Sequence, residues 1–229
     1  MKTRTRRAPA ILHPSSILAS PPLDPRPAPP TIPATMGFSP ALLFSLLAAC
    51  GVMMLLEWRG LPTTLSLDFK GDIKRESRWL AQYGQAVCTL VAALLVWQLD
   101  RAHPQYAVLA LVAPFGTSVA AMLIKRLVSR VRPGRENAGK FLGPSWKHAN
   151  YKESFPSSHS ACAVALSVTL AILYPQAAVT FWGLALVCAG LRYVLDAHWP
   201  SDVLGGIALG YGMAHLAWWG MQRVMGNAP

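Results

Sequence analysis

Charged side chains are scarce in this sequence, and acidic ones scarcest. Asp and Glu together number 10 in 229 residues, and all charged residues make up 14%. Soluble domains carry about 25%, so this composition does not build an ordinary water-facing surface. Cysteine is sparse too. Cys50, Cys88, Cys162 and Cys188 each sit inside an apolar run, and none has CxxC spacing. That argues against a disulfide framework or a zinc site and leaves them as small apolar residues. No basic stripe lies on a long soluble helix, and no zinc-finger or RNA-binding motif is present, so nucleic acid is not an expected partner.

What the sequence has is apolar length. Hydrophobic residues make up 53%. Six runs stand out, at 38–58, 79–99, 106–124, 157–174, 177–194 and 203–221. Each fits the ~17–25 residues that cross a bilayer. Trp58, Trp79, Trp97, Trp182, Trp199, Trp218 and Trp219 lie mostly near run ends, as interfacial anchors do. The expected fold is all-α, a polytopic membrane helical bundle with six transmembrane helices. Pro114 and Gly116 predict a bend in the third, and the two residues Pro175 and Gln176 predict a tight hairpin between the fourth and fifth. The link 59–78 mixes charged and apolar residues and fits either a short surface helix or a solvated loop.

Residues 1–35 hold nine of the 19 prolines and little apolar periodicity. They are expected to form a disordered basic tail, ahead of a membrane domain spanning 36–229. The formal charge is +11. Its densest cluster, Lys125, Arg126, Arg130, Arg132 and Arg135, follows an apolar run and so suggests phosphate at a membrane surface.

Three clusters carry chemistry: KRLVSRVRP from Lys125, PSSH from Pro156, and LRYVLDAHWPSD from Leu191. Six spans would bring 125–155 and 195–202 to one face. Lys125, Arg132 and Arg192 are cations at helix ends, costly there unless they snorkel or meet an anion. Pro156, Ser157 and Ser158 before an apolar run signal a helix N-terminus, whose free N–H groups favour an anion, and His159 lies in that first turn. His198 and Asp202 are four residues apart, a spacing that lets the carboxylate accept the imidazole Nδ1–H and leave Nε2 free.

The ordered pattern KxxxxxxRP … PSxH … RxxxxxHxxxD resembles the signature of the type 2 phosphatidic acid phosphatase and vanadium haloperoxidase superfamily, in its membrane lipid phosphate phosphatase branch. The resemblance spans 125–202. It implies that His198 attacks phosphorus to form a phosphohistidine, that Asp202 orients His198, and that His159 protonates the leaving oxygen. It implies that Lys125, Arg132, Ser157, Arg192 and the backbone N–H of Ser158 hold the phosphoryl oxygens. No metal or other cofactor is then called for, because fixed cations supply the stabilisation. The partners would be a membrane lipid phosphate and the bilayer; oligomeric state stays open, as does the lipid, whether phosphatidate, phosphatidylglycerol phosphate, undecaprenyl pyrophosphate or lipid A phosphate. Ser158 departs from the family's usual glycine, and Leu191 from its frequent serine, which bears on rate and substrate fit.

Two further readings stand beside hydrolysis: a lipid phosphotransferase using the same histidine chemistry, and a non-catalytic protein that binds anionic lipid. A haloperoxidase would share the anion cage, but the family's peroxidases are soluble. Sidedness is divided. The catalytic face carries 14 of the 21 Lys and Arg, which by the positive-inside count is cytoplasmic. The resemblance implies an extracytoplasmic site in a bacterial inner (plasma) membrane.

The composition of 1–35 predicts that a chain starting at Met36 inserts and works as the full chain does. A loss of insertion or activity in the shortened form would give the tail a function.

Overall fold

The structure, a computed structural model, describes residues 37–65, 67, 69–195 and 198–226. The expected tail 1–35 and Met36 lie outside the described residues, as do Asp196 and Ala197 of the third cluster. Among the described residues there are seven α-helices: α1 (Pro40–Trp58), α2 (Gly71–Leu80), α3 (Ala86–Leu99), α4 (Pro104–Val128), α5 (Ser158–Leu173), α6 (Ala178–Val194) and α7 (Pro200–Val224). Arg130 and Phe141 form an isolated β-bridge.

Proline sets several starts. Pro40, Pro104 and Pro200 are first residues of α1, α4 and α7, where the missing N–H costs no intrahelical bond. Ser39 caps α1 by accepting the Leu42 N–H at 3.3 Å. Pro175 and Gln176 do turn the chain sharply: a short 3-10 segment, Pro175–Ala177, joins α5 to α6. α4 continues as one helix through Pro114.

Among the described residues, three segments are long and apolar enough to cross a membrane: Pro40–Trp58, Pro104–Val128 and Pro175–Val194. The chain is accordingly an integral membrane protein. The second expected run, 79–99, is divided. Trp79 ends up in α2, and α3 starts only at Ala86, leaving 14 residues or about 21 Å of helix. The break is at Gly84, which holds φ +83° against the backbone of Cys162 and Ala163, where a Cβ has no room. The 59–78 link resolves in favour of a helix: α2 is short and amphipathic, with Ile73, Trp79 and Leu80 exposed and Asp72 paired to Arg75.

α5 is the centre of the bundle. Every residue from Ser160 to Leu173 is buried, enclosed by α4, α6 and α7. α1, by contrast, buries Cys50 and the Glu57 side chain and leans on α7. The α5–α7 approach depends on glycine. A Cβ on Gly206 would stand 2.6 Å from the Ser157 carbonyl oxygen, a backbone atom that has no rotamer to escape into. This contact lies one turn from Asp202, so it sets the distance between the second and third sequence clusters.

Gly206→Ala is therefore expected to lower the melting temperature in detergent. Alanine ordinarily favours a helix over glycine by about 1 kcal/mol, but overpacking costs about 1–3 kcal/mol and wins here. Gly212→Ala, with nothing within 4 Å of its Cβ, is expected to be neutral or stabilising. Equal behaviour of the two variants in thermal unfolding would refute the close-packing account.

Candidate active site

The three clusters meet at one end of the bundle. Ser157 donates its backbone N–H to the Asp202 carbonyl at 2.9 Å, and His198 Nδ1 lies 2.9 Å from the Ser154 carbonyl. Ser154 in turn donates its backbone N–H to the Arg130 carbonyl at 3.0 Å. The segment between α4 and α5 is thus stitched under α7, and the C-terminal turn of α1 closes the same end through Glu57.

His198 is 1% exposed. A carbonyl can only accept, so the Ser154 partner fixes the proton on Nδ1 and leaves Nε2 with its lone pair. This differs from the expected Asp202 contact. Asp202 Oδ2 is 3.6 Å from Nδ1, beyond a hydrogen bond but well within electrostatic reach. The carboxylate is occupied elsewhere. Its Oδ2 accepts the Trp199 N–H at 3.0 Å and the Ser154 hydroxyl, and its Oδ1 accepts from Arg130 at 2.6 Å. Burial pushes His198 down to about 4, with Asp202 opposing in part, so the ring is neutral at physiological pH.

Around His198 the charges are mostly of one sign. His159, the second residue of α5, stands in the electrostatic range of Arg192, His198, Lys125 and Arg132. Lys125 sits in the last turn of α4 and Arg192 in the last turn of α6. Neither side chain makes a hydrogen bond or ion pair with the described residues, and Arg192 Nε is buried without a partner. Arg132 is steadied by the segment that carries it: its Nε donates to the Asn150 carbonyl at 2.8 Å, and burial lowers its pKa while Asp202 and Glu153 oppose. Glu153 itself is pushed up by burial, but the Ala149 N–H, His148 and Arg126 outweigh this and hold it below the usual carboxylate range.

Ser157 is buried at the N-cap of α5, its hydroxyl 2.9 Å from that of Ser160. It makes no side-chain cap, so the first-turn amides of α5 keep the unpaired donors of any helix start. Ser158 has no positive φ, so the serine in glycine's usual place carries no backbone penalty. Among the described residues no group of three or more His, Cys, Asp or Glu is arranged to hold a metal.

Glu57 and Ser154 were not singled out from the sequence, and Arg130, which the sequence placed in a basic cluster suggesting phosphate, is turned toward carboxylates instead. Arg130 is 1% exposed and fully enclosed. It donates to Asp202, to the Ser201 hydroxyl at 2.6 Å, and to Glu57 Oε2 at 2.7 Å. Glu57 also accepts the Ser201 backbone N–H at 3.0 Å and its hydroxyl at 2.5 Å. Ser154 acts partly through its backbone, which no motif marks. A signal existed for Glu57: it is the one acid in the six apolar runs, and an acid there needs a partner.

Comparisons with known proteins bear on this geometry. A family model described as the PAP2 superfamily matches residues 103–225, more than half of the chain. Over 142 residues the sequence is 37% identical to a decaprenylphosphoryl-5-phosphoribose phosphatase of Mycobacterium tuberculosis, covering 58% of this chain and 72% of that one. Over 96 residues it is 38% identical to a lipid A 1-phosphatase of Rhizobium etli, covering 41% of each. The chain thus spans about two-fifths of the length of that relative. Among solved structures, a transmembrane PAP2 type phosphatidylglycerolphosphate phosphatase from Bacillus subtilis aligns over 81% of this chain and 89% of its own, with a TM-score of 0.48 and 15% identity.

The buried His198 predicts an acid-sensitive fold. Its pKa is about 4 when folded and about 6.5 when unfolded. Between those values the unfolded chain binds the extra proton, so stability falls as pH falls, by up to about 1.4 kcal/mol per unit. In detergent, the wild-type melting temperature should drop from pH 6.5 to 4 more steeply than that of His198→Asn. Parallel pH curves would contradict a buried neutral imidazole.

Proposed function

The chain belongs to the PAP2 superfamily, and from that premise we propose that it is a metal-independent lipid phosphate phosphatase, a phosphoric ester hydrolase acting on a phosphomonoester or pyrophosphate of a membrane lipid. The observation that carries this reading is the convergence of Lys125, Arg132 and Arg192 with His159 beside a buried neutral histidine whose Nδ1 is already engaged. Within this cluster Lys125 and Arg192 have no ionic partner among the described residues. A phosphoryl group, with three oxygens and two negative charges, completes it. The names of the relatives favour a lipid carrier: lipid A in one, a decaprenyl-linked sugar phosphate in the other.

His198 Nε2 attacks phosphorus as the bond to the lipid oxygen breaks, and His159 delivers a proton to that oxygen. Lys125, Arg132, Arg192, Ser157 and the α5 amides at Ser158 hold the non-bridging oxygens while charge spreads over them. The resulting phosphohistidine carries positive charge on its ring, which Asp202 stabilises from 3.6 Å. Water, deprotonated by His159, then attacks phosphorus, the P–N bond breaks, and neutral His198 and inorganic phosphate are released.

The apolar helices α1 and α3–α7 are read as six spans of one membrane domain over 36–229, with the site on the extracytoplasmic face of a bacterial inner membrane. Substrate phosphate there supplies the counter-charge for the basic residues on that face, which weakens the contrary positive-inside count.

Purified protein should release phosphate from a lipid phosphate in EDTA and be inhibited by vanadate, which adopts the five-coordinate geometry of the transition state. His198→Ala should abolish turnover while lipid binding persists. His159→Ala should lose on the order of 10²–10⁴-fold on a lipid phosphate and recover part of that on p-nitrophenyl phosphate, whose leaving group needs no proton. Near wild-type turnover by His198→Ala would overturn the histidine mechanism.

A further inference from the structure

A heavily buried polar assembly adjoins His198 through Asp202 and Ser154. Side-chain exposures are 2% for Glu57, 2% for Arg130 and 0% for Asp202. Arg130 divides its fork: NH1 donates to Asp202 Oδ1 and NH2 to Glu57 Oε2, at 2.6 and 2.7 Å. Ser201 bridges the two ends, accepting from Arg130 at 2.6 Å and donating to Glu57 at 2.5 Å. The backbone of Arg130 holds Ser154, and Ser154 holds both His198 and Asp202. The guanidinium is further boxed by the rings of Phe141 and Trp199, at 5.2 and 5.3 Å.

We propose that Glu57 and Arg130 are positioning residues of the reaction: together they keep one net negative charge on the Asp202 side of His198 and fix the carbonyl that sets its tautomer. This rests on the reading of His198 as nucleophile. A guanidinium paired with Asp202 alone would cancel the carboxylate's charge. With Glu57 on the other prong, two carboxylates share one cation and one negative charge remains. Arg130 claims Oδ1, so Oδ2 is the oxygen left nearest His198. That charge gains most when the imidazole ring turns cationic, at the moment the P–N bond forms. The network therefore acts on kcat, through bond formation to phosphorus, and has no part in leaving-group protonation.

The test compares wild type, Glu57→Gln, Glu57→Asp and Ser201→Ala as folded, detergent-purified proteins on a lipid phosphate and on p-nitrophenyl phosphate. Glu57→Gln should lose kcat on the order of 10- to 100-fold, the scale of removing an outer-shell partner of a histidine in metal sites, with KM little changed. The loss should be the same factor on both substrates, unlike that of His159→Ala. Glu57→Asp should retain more activity than Glu57→Gln, and Ser201→Ala should show a smaller loss in the same direction. If Glu57→Gln does not fold, Ser201→Ala decides alone on the same criterion. Wild-type kcat in the deciding variant, a change confined to KM, or a loss recovered on p-nitrophenyl phosphate would each overturn the proposal. Wild-type protein with no phosphatase activity, or an active His198→Ala, would instead overturn the reading beneath it.

Discussion

A guanidinium shut away from water between two carboxylates is the constraint on which the site end of this protein is built. Arg130 is reached by α1 through Glu57, by α7 through Ser201 and Asp202, and by the α4–α5 segment through its own backbone. Breaking a buried pair of this kind costs about 3–5 kcal/mol, a large share of the total stability of a typical domain. Three parts of the chain that are far apart in sequence therefore have one mutual arrangement at this end.

The opposite electrostatic situation prevails a few residues away. Lys125 and Arg192 stand without ionic partners among the described residues, and Arg132 shares their field. Cations held in this way repel one another and lose hydration, a cost that an anion of any kind would offset. The protein thus joins a paired, enclosed guanidinium and two cations without ionic partners at one end of the bundle.

Much of this was legible because the chemistry sits where apolar periodicity stops. Lys125, Ser157, His159, Arg192 and Asp202 each mark the end of a helix, and sequence alone brings their segments to one face. The network behind them was hidden because it depends on pairings 72 and 73 residues apart, which no period reports. Hydrophobicity also misplaced the second run. Apolar character continues from Trp79 to Leu99, but the backbone turns at Gly84 because α5 comes too close for a side chain. The Nδ1 partner of His198 is a main-chain carbonyl, and residue identity carries almost no information about that.

The complete enclosure of α5 gives the bundle an uneven tolerance to change. A helix with one face toward lipid can exchange one apolar residue for another on that face at little cost, since acyl chains are fluid and fit any shape. α1, which encloses only Cys50 and the Glu57 side chain, has that latitude over most of its circumference. From Ser160 to Leu173 α5 has none: each added methylene must be accommodated by α4, α6 or α7. Sequence drift in this protein is thus channelled outward, and the helix that presents His159 is free to vary only when its neighbours vary with it.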